Sequence, residues 1–521
     1  MTEISRVRSI LCIVCLYSWA SVLYASVSPE NEVAPCGDKQ YYQSIRDLWD
    51  NRKPTYIEWI KQSDKTPLHL YYIQGETNNL LKYAAYCQDK LILDELFAVY
   101  LKALDALDET DQYVFYYYPQ NQRRTVHRLK HKYRAWLDDK SPVGDETVLT
   151  SAQFLYVITE SINIITDIAP AARSSIMRQL IRQYLPVVTE HYQRWIFSEV
   201  GPFQVRGWGC KMRGKYIKTG MNHEAFLKNK LRRLLGDSAS PSYCNAVTDT
   251  DLWIIAGVSN LLAAYSKDKD LEKQQYIDKP AYYRYLQIGV DLISSRIIKT
   301  SLHDFHGKPV AGINFDVGAW DDHQNYRYAQ LEVLDIFKAK PSKAKYPKNV
   351  GWDLSHARRF VHVFMALLNN REATGMKFPD RSVLEELGNQ LLYTVFNGNA
   401  RLPLFANFIG GSNGWFRVNY LDRKGFGYGP WDMSITMLTG GYGFLSNYNS
   451  NFESLFRSLL KMLASNDPIV LGHVEKHYER NHWENRKHVK SIEFSDKSNP
   501  SMQAVLIQFI PSLCYMHGIP H

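Results

Sequence analysis

Residues 350–368 read VGWDLSHARRFVHVFMALL, and this stretch carries the two signals on which the fold class depends. After Leu354 the apolar side chains recur every three or four positions, the spacing of a helix with one buried face. Asp353 stands directly before them, where an aspartate accepts hydrogen bonds from the first unpaired N–H groups of a helix. The stretch therefore predicts a helix over residues 355–368, with Asp353 as its cap.

The same helical spacing recurs along most of the chain, while strand-like alternation is confined to short pieces such as residues 415–420. The sequence therefore predicts an all-α protein. The other predicted helices cover residues 79–104, 148–168, 173–197, 251–265, 282–298, 323–339, 383–395, 433–445, 452–463 and 502–515.

A short signal of Gly, Trp and Asp precedes three helical segments, with the tryptophans at Trp320, Trp352 and Trp431. Their spacing corresponds to about one and about two helical hairpins of roughly 40 residues each. Hairpins that repeat the same loop at one end suggest a ring, so we expect an α/α toroid of about six helical hairpins with small β-hairpin-like insertions over residues 76–521. The alternative is that Trp-Asp recurs by chance and each Asp only caps a helix.

The N-terminus has the three-part layout of a secretory signal. Arg6 and Arg8 precede an apolar run over residues 10–20, and small residues follow around Ala25. The run is too short for a membrane anchor, which needs about 20 residues. We therefore expect a signal peptide over residues 1–25, an N-terminal extension over 26–75, a secreted or periplasmic protein, and no stable membrane insertion once the signal is removed.

The cysteines and the net charge bear on the cellular compartment and on the binding partner of the protein. Five cysteines follow the expected signal peptide. We expect the pairs Cys210–Cys244 and Cys36–Cys87, which leaves one thiol unpaired. The chain carries 62 Lys and Arg against 53 Asp and Glu, a formal net charge of +9 that favours an anionic partner. None of these five cysteines forms a CxxC motif, and we expect neither a metal nor a cofactor.

Glycines and aromatic residues are interleaved over residues 408–442. Glycine permits tight turns that expose flat rings, and such rings stack on sugars. We expect a sugar-binding surface there, contributed by Trp415, Tyr428 and Trp431, together with Trp208, Trp320 and Trp352 from other loops.

With its helical body, its polar and aromatic helix starts and this late aromatic stretch, the chain resembles the α/α-toroid carbohydrate-active enzymes. These are the polysaccharide lyases of the alginate and chondroitin type and the glycoside hydrolases with the same barrel. The resemblance covers the general layout of residues 75–515 and rests on short motifs. It implies a cleft across the ring in which sugars stack on aromatics, and catalysis by Asn, His, Tyr and Arg or by paired carboxylates.

Residues 316–328 hold the densest set of reactive side chains. A helix starting near Asp321 would place His323, Tyr326 and Arg327 on one face. In β-elimination Arg327 would neutralise a uronate carboxylate, His323 would take the neighbouring proton, and Tyr326 would protonate the leaving oxygen. The alternative is a polar helix start whose side chains pair with nearby aspartates.

Two further segments offer candidate catalytic residues. The adjacent pair Asn222 and His223 is similar to the pair with which alginate-type lyases neutralise the uronate and remove its proton, although a solvated basic surface is the alternative. Asp353 and His356 start one predicted helix and could act as acid and base, or Asp353 could be only a cap.

The sequence thus favours an exported enzyme that cleaves an anionic polysaccharide, and not a nucleic-acid-binding protein. A lyase is preferred, because His, Tyr, Arg and Asn outnumber obvious carboxylate pairs. Two alternatives remain open. One is an inverting glycoside hydrolase that uses Asp432 with another aspartate. The other is a secreted, non-catalytic protein that binds glycans or a host.

Overall fold

The computed structural model describes residues 39–63, 67–118, 123–138, 146–198, 210–212, 215–217, 221–235, 242–274, 276–316, 324–334, 340, 350–418, 427–479 and 500–517. The expected signal peptide and three candidate site residues, Trp208, Trp320 and His323, lie outside these ranges.

The protein is mostly helical with small antiparallel hairpins, which confirms the all-α class. The described helices are α1 (Lys39–Lys61), α2 (Leu68–Tyr86), α3 (Lys90–Leu101), α4 (Val148–Thr166), α5 (Ser175–Phe197), α6 (His223–Leu231), α7 (Asp249–Lys267), α8 (Lys269–Lys273), α9 (Lys279–Ser294), α10 (Leu354–Asn369), α11 (Arg371–Thr374), α12 (Arg381–Gln390), α13 (Ser450–Leu463), α14 (Pro468–Val474) and α15 (Pro500–His517).

Five long helices contact one another in the order α15, α2, α4, α7 and α10. The 3₁₀ helices Ser434–Leu438 and Tyr442–Asn447 contact both α10 and α15. A further helix packs against each of these elements: α1 against α15, α3 against α2, α5 against α4, α9 against α7, α12 against α10, and α13 against Tyr442–Asn447. The large buried side chains of these helices form one continuous hydrophobic core.

Helix α4 shows why this core is stable. Its residues from Thr150 to Ile162 are all buried, so the helix is surrounded by protein on every side. It is also the one described helix long and apolar enough to cross a membrane, with a mean hydropathy of 1.3 and 78% of that stretch buried inside the fold. The burial is that of a core helix.

Three predicted helices differ from the observed ones. The segment 79–104 is broken at Cys87–Asp89, where Asp89 caps a new helix by accepting from Ile92 N. The segment 433–445 forms two 3₁₀ helices. The helix predicted over 323–339 is wrong, because of its described residues 324–334 only Gln324–Tyr328 is helical, and as a 3₁₀ turn. The carbonyls of Tyr328 and Ala329 accept from Trp415 N and Gly414 N, so that segment bonds to a neighbouring segment.

Three antiparallel hairpins complete the described structure, and two of them are longer than the sequence analysis expected. They pair β1 (Asp108–Tyr118) with β2 (Arg123–Ala135), β3 (Lys211–Met212) with β4 (Lys215–Tyr216), and β5 (Ile297–His303) with β6 (Pro309–Phe315). Of the expected strand over 415–420, residues 415–418 are described and contain one isolated bridge, Phe416 with Tyr428.

The disulfide Cys210–Cys244 is present, as predicted. Cys87 is also disulfide-bonded, and its expected partner Cys36 lies outside the described ranges. Cys514 is a buried thiol. The expected boundary between residues 75 and 76 falls inside α2, and Trp49 and Tyr56 of α1 are fully buried in the common core.

Candidate functional site

Three of the segments that the sequence singled out meet at the N-terminus of α10. Asp353 forms an isolated β-bridge with Phe408, and Leu354 N donates to Asn407 O at 2.8 Å. Trp415 N in turn donates to Tyr328 O at 3.0 Å. The backbone therefore brings together residues 324–331, 350–356 and 407–418.

Asp353 is the centre of this arrangement and is fully buried. It caps α10 by accepting from the backbone N–H groups of Ser355 and His356, both at 3.1 Å. Its carboxylate also accepts from Tyr326 OH at 3.1 Å and from His356 Nδ1 at 2.7 Å. A cap alone would need only the backbone contacts, so the two side-chain bonds give this aspartate an additional role.

The charges explain why Asp353 stays ionised. Burial alone would raise the pKa of its carboxyl, but the charge and hydrogen bond of His356, the Ser355 hydroxyl and the charge of Arg417 hold that pKa well below its usual value. An ionised carboxylate accepts hydrogen bonds only, so His356 Nδ1 must carry the proton that it donates.

His356 then presents its other nitrogen, Nε2, away from the carboxylate. Arg417 approaches Nε2 to 3.4 Å, and Phe416 packs edge-on against the imidazole ring. The His356 side chain keeps 12% of its surface exposed, whereas the Asp353 side chain keeps 1%. A histidine whose ring is oriented by a carboxylate can transfer a proton through its second nitrogen when a substrate displaces the 3.4 Å contact with Arg417. We call Tyr326, Asp353, His356 and Arg417 the Asp353–His356 site.

The backbone near this site is strained at two residues. Arg417 has φ = 53° and Trp431 has φ = 69°, in the left-handed region that side chains other than glycine rarely adopt. Such strain persists only where surrounding contacts impose it, and it is concentrated at functional sites.

Asn407 holds the glycine-aromatic stretch in place, and the sequence analysis missed it. Its fully buried amide donates to Gly414 O at 3.0 Å and to Gly429 O at 2.8 Å, and its Oδ1 accepts from Met433 N. One side chain therefore ties together three turns of this stretch. Buried amides that join loops in this way fix the geometry of a site.

The candidate sugar-binding residues are divided by burial. Trp415 is fully buried and its Nε1 donates to Val333 O, while Trp352 is 5% exposed and packs against Phe360. Neither ring has an exposed face on which a sugar could stack. Tyr428 and Trp431 are half-buried and keep that possibility. Asp432 is also half-buried, and its Oδ2 accepts from Gly429 N at 2.7 Å.

Arg327 and Tyr326 point in different directions, which corrects the expectation of a shared helix face. Tyr326 is 3% exposed, and Arg327 is exposed. The expected shared face assumed an α-helix through these residues, and Gln324–Tyr328 forms a 3₁₀ turn instead.

Asn222 and His223 belong to a separate, fully enclosed arrangement. Asn222 caps α6 by accepting from Ala225 N at 2.9 Å. His223 has no exposed surface, and its Nε2 donates to Asp251 at 2.8 Å while its Nδ1 shares a hydrogen bond with Tyr285 OH at 2.7 Å. Lys230, also buried, forms an ion pair with Asp251. We call His223, Lys230, Asp251 and Tyr285 the His223 cluster.

A buried polar cluster further along α10 was not foreseen. His362 shares it with Lys82 of α2 and with Tyr156 and Glu160 of α4, and Lys82 and Glu160 form an ion pair. Burial and the charges of Lys82 and Arg358 lower the pKa of His362, so its ring is neutral. A sequence signal existed, because Glu160 interrupts the apolar run of residues 154–165.

Comparisons of the chain with protein-family models, with curated proteins and with solved structures find no match. Function must therefore be argued from the site itself.

Proposed function

We propose that the protein is an exported enzyme that cleaves an anionic, uronate-containing polysaccharide by β-elimination. The observation that carries the proposal is the Asp353–His356 site. His356 is fixed by a buried carboxylate, and its second nitrogen faces the arginine of a neighbouring loop within a partly exposed region.

Each residue of the site then has a role. Arg417 binds the uronate carboxylate and withdraws charge from it, which acidifies the proton on the adjacent carbon. His356 Nε2 accepts that proton. The electrons of the broken C–H bond form a carbon–carbon double bond as the glycosidic C–O bond breaks, and the leaving oxygen takes a proton from water. Asp353 stabilises the resulting imidazolium, and buried Tyr326 positions Asp353.

The fold supports an α/α toroid of about six helical hairpins as the scaffold. The contacts run from α15 through α2, α4, α7 and α10 and return to α15 through the two 3₁₀ helices, and each element has a second helix against it. The disulfide Cys210–Cys244 is compatible with an oxidising, extracellular location.

The alternatives are less well supported by the side chains. An inverting hydrolase needs two carboxyl groups about 6.5–9.5 Å apart with room for water between them. Asp353 is fully enclosed and Asp432 is bonded to Gly429 N, so neither is free to activate a water molecule. A non-catalytic binding protein would have no need for an oriented histidine.

The test is to incubate the purified protein with a panel of acidic and neutral polysaccharides. Absorbance from unsaturated uronates and the appearance of reducing ends are followed together. The proposal expects both signals on at least one acidic polymer. Reducing ends without absorbance would show a hydrolase, and no change on any polymer would favour a binding protein.

A further inference from the structure

The hairpin formed by β1 and β2 separates charge along its length. Asp108, Glu109 and Asp111 lie at its start, and from residue 112 to residue 135 there is no acidic residue. That stretch carries six of the cations that give the chain its net charge of +9. They are Arg123, Arg124, Arg128, Lys130, Lys132 and Arg134.

The backbone register of the hairpin sets aromatic positions opposite arginine positions. Tyr118 lies opposite Arg123, Tyr117 opposite Arg124, and Tyr113 opposite Arg128. Residues directly opposite each other in an antiparallel pair share a face, and the faces alternate along each strand. The first pair of positions is therefore on one face and the other two are on the opposite face, so each face has an aromatic position directly opposite a basic one.

The hairpin is attached to the core at one end. Ala135 and Trp136 are fully buried, and Trp136 Nε1 donates to Ala103 O at 2.8 Å. Within the described part of the chain, the main packing partner of each strand is the other strand. An eleven-residue strand is about 35 Å long at roughly 3.3 Å per residue. The paired aromatic and basic positions therefore extend away from an anchored base.

We propose that this hairpin is a second binding site for an anionic polysaccharide, separate from the Asp353–His356 site. The choice of polymer rests on the proposed function. Arginine binds carboxylates through paired hydrogen bonds, and aromatic rings stack on the apolar faces of sugars. Two faces with this pairing can hold an extended chain while a distant segment of it is cleaved, which raises the local concentration of substrate.

The experiment compares two variants of the full chain that remove the same charge. In the first, Arg123, Arg124 and Arg128 are replaced by Gln. In the second, three exposed cations elsewhere are replaced: Lys61→Gln, Lys273→Gln and Lys299→Gln. Affinity for alginate is measured in a series of salt concentrations, with dextran as the uncharged control and single-stranded DNA as the competing polyanion. Thermal unfolding confirms that both variants are folded.

The hairpin variant should bind alginate at least about tenfold more weakly and with a shallower salt dependence, because fewer ions are released on binding. The second variant should stay within about twofold, because exposed ion pairs contribute little. Equal affinity in the two variants, or equal binding of dextran, overturns the proposal. DNA binding tighter than alginate at matched charge would replace it with a nucleic-acid surface. Alginate binding that depends on the hairpin, without cleavage of any polymer, would retain the hairpin site and reject the lyase.

Discussion

Two His–Asp pairs in this chain have almost the same composition and opposite surroundings. In the His223 cluster both ring nitrogens are occupied, and neither His223 nor Asp251 has any exposed surface. At the Asp353–His356 site the carboxylate is equally buried, yet His356 Nε2 faces an arginine and part of the ring is exposed. In each pair a tyrosine hydroxyl forms a hydrogen bond, with the histidine in one and with the aspartate in the other.

Under the proposed function, this difference separates a structural pair from a catalytic one. A histidine whose two ring nitrogens both form hydrogen bonds with buried partners stabilises the fold and has no lone pair available for a substrate. Under the proposed function, His356 bonds to the carboxylate through Nδ1, and Nε2 becomes available for proton transfer when a substrate displaces the 3.4 Å contact with Arg417. Residue types alone do not distinguish the two cases.

The largest difference in turnover should be found between substitutions of the arginines near the two pairs. Arg417→Ala removes the charge that faces His356, and turnover of an acidic polymer should fall by about 10²–10³, the cost of losing one positioned group that stabilises developing charge. Arg284→Ala, which removes a partly exposed partner of Glu224 near the His223 cluster, is the matched control and should leave turnover within about twofold. Equal turnover in both variants would remove Arg417 from the mechanism.

The two aspartates should differ in what their loss changes. Asp251→Asn leaves Lys230 buried without a charged partner, which should lower the free energy of unfolding by about 3–5 kcal/mol in urea denaturation. Asp353→Asn keeps an effective helix cap, so stability should fall less while turnover falls at least about tenfold. Similar losses of stability in both variants would contradict the distinction.

Low pH should lower the stability of the protein, because Asp251 binds a proton less readily in the folded state than in the unfolded state. Burial raises the pKa of Asp251, but the charge of Lys230 and the bond from His223 outweigh it and hold that pKa below its usual range. A carboxyl whose folded pKa is below its unfolded value stabilises the protein above about pH 4 and loses that contribution as pH falls towards the folded pKa. The urea concentration at the midpoint of unfolding should therefore decrease as the pH is lowered from about 5 to about 2. This decrease should be smaller in Asp251→Asn. An equal decrease in the wild-type protein and in Asp251→Asn would exclude Asp251 as the source of this pH dependence.

The smallest effects are expected at the two tyrosines. Tyr285→Phe and Tyr326→Phe each remove one buried hydrogen bond, which contributes about 1 kcal/mol to stability, and more when the partner is charged. Only Tyr326→Phe should also reduce turnover, by a few fold, because Tyr326 supports the carboxylate that orients His356. A larger loss of turnover for Tyr285→Phe would reverse the roles of the two clusters.

Local signals predicted the parts of the site that are close in sequence. The cap at Asp353, the helix after it and His356 one turn further on all follow from the spacing of residues 350–368. Tyr326 was a candidate, but its contact with Asp353 joins segments that share no local pattern, and the expected helix around it does not form. Arg417 was not foreseen, because its left-handed backbone is imposed by loop contacts.

The long hairpins were missed for a different reason. In β2 the cations stand at both odd and even positions, so the alternation that marks a half-buried strand is absent. The strand is formed by pairing with β1, which is a property of two segments together.

The most direct test compares His356→Gln with His223→Gln on one acidic polymer that the wild-type protein cleaves. The initial rate of unsaturated-uronate absorbance is measured per folded molecule, with the folded fraction taken from urea denaturation. We expect His356→Gln to lose at least about 10² in rate with little change in stability, because proton transfer by a positioned histidine contributes on that scale. We expect His223→Gln to lose stability and keep its rate. A His356→Gln protein that cleaves at the wild-type rate would contradict the assignment of the Asp353–His356 site.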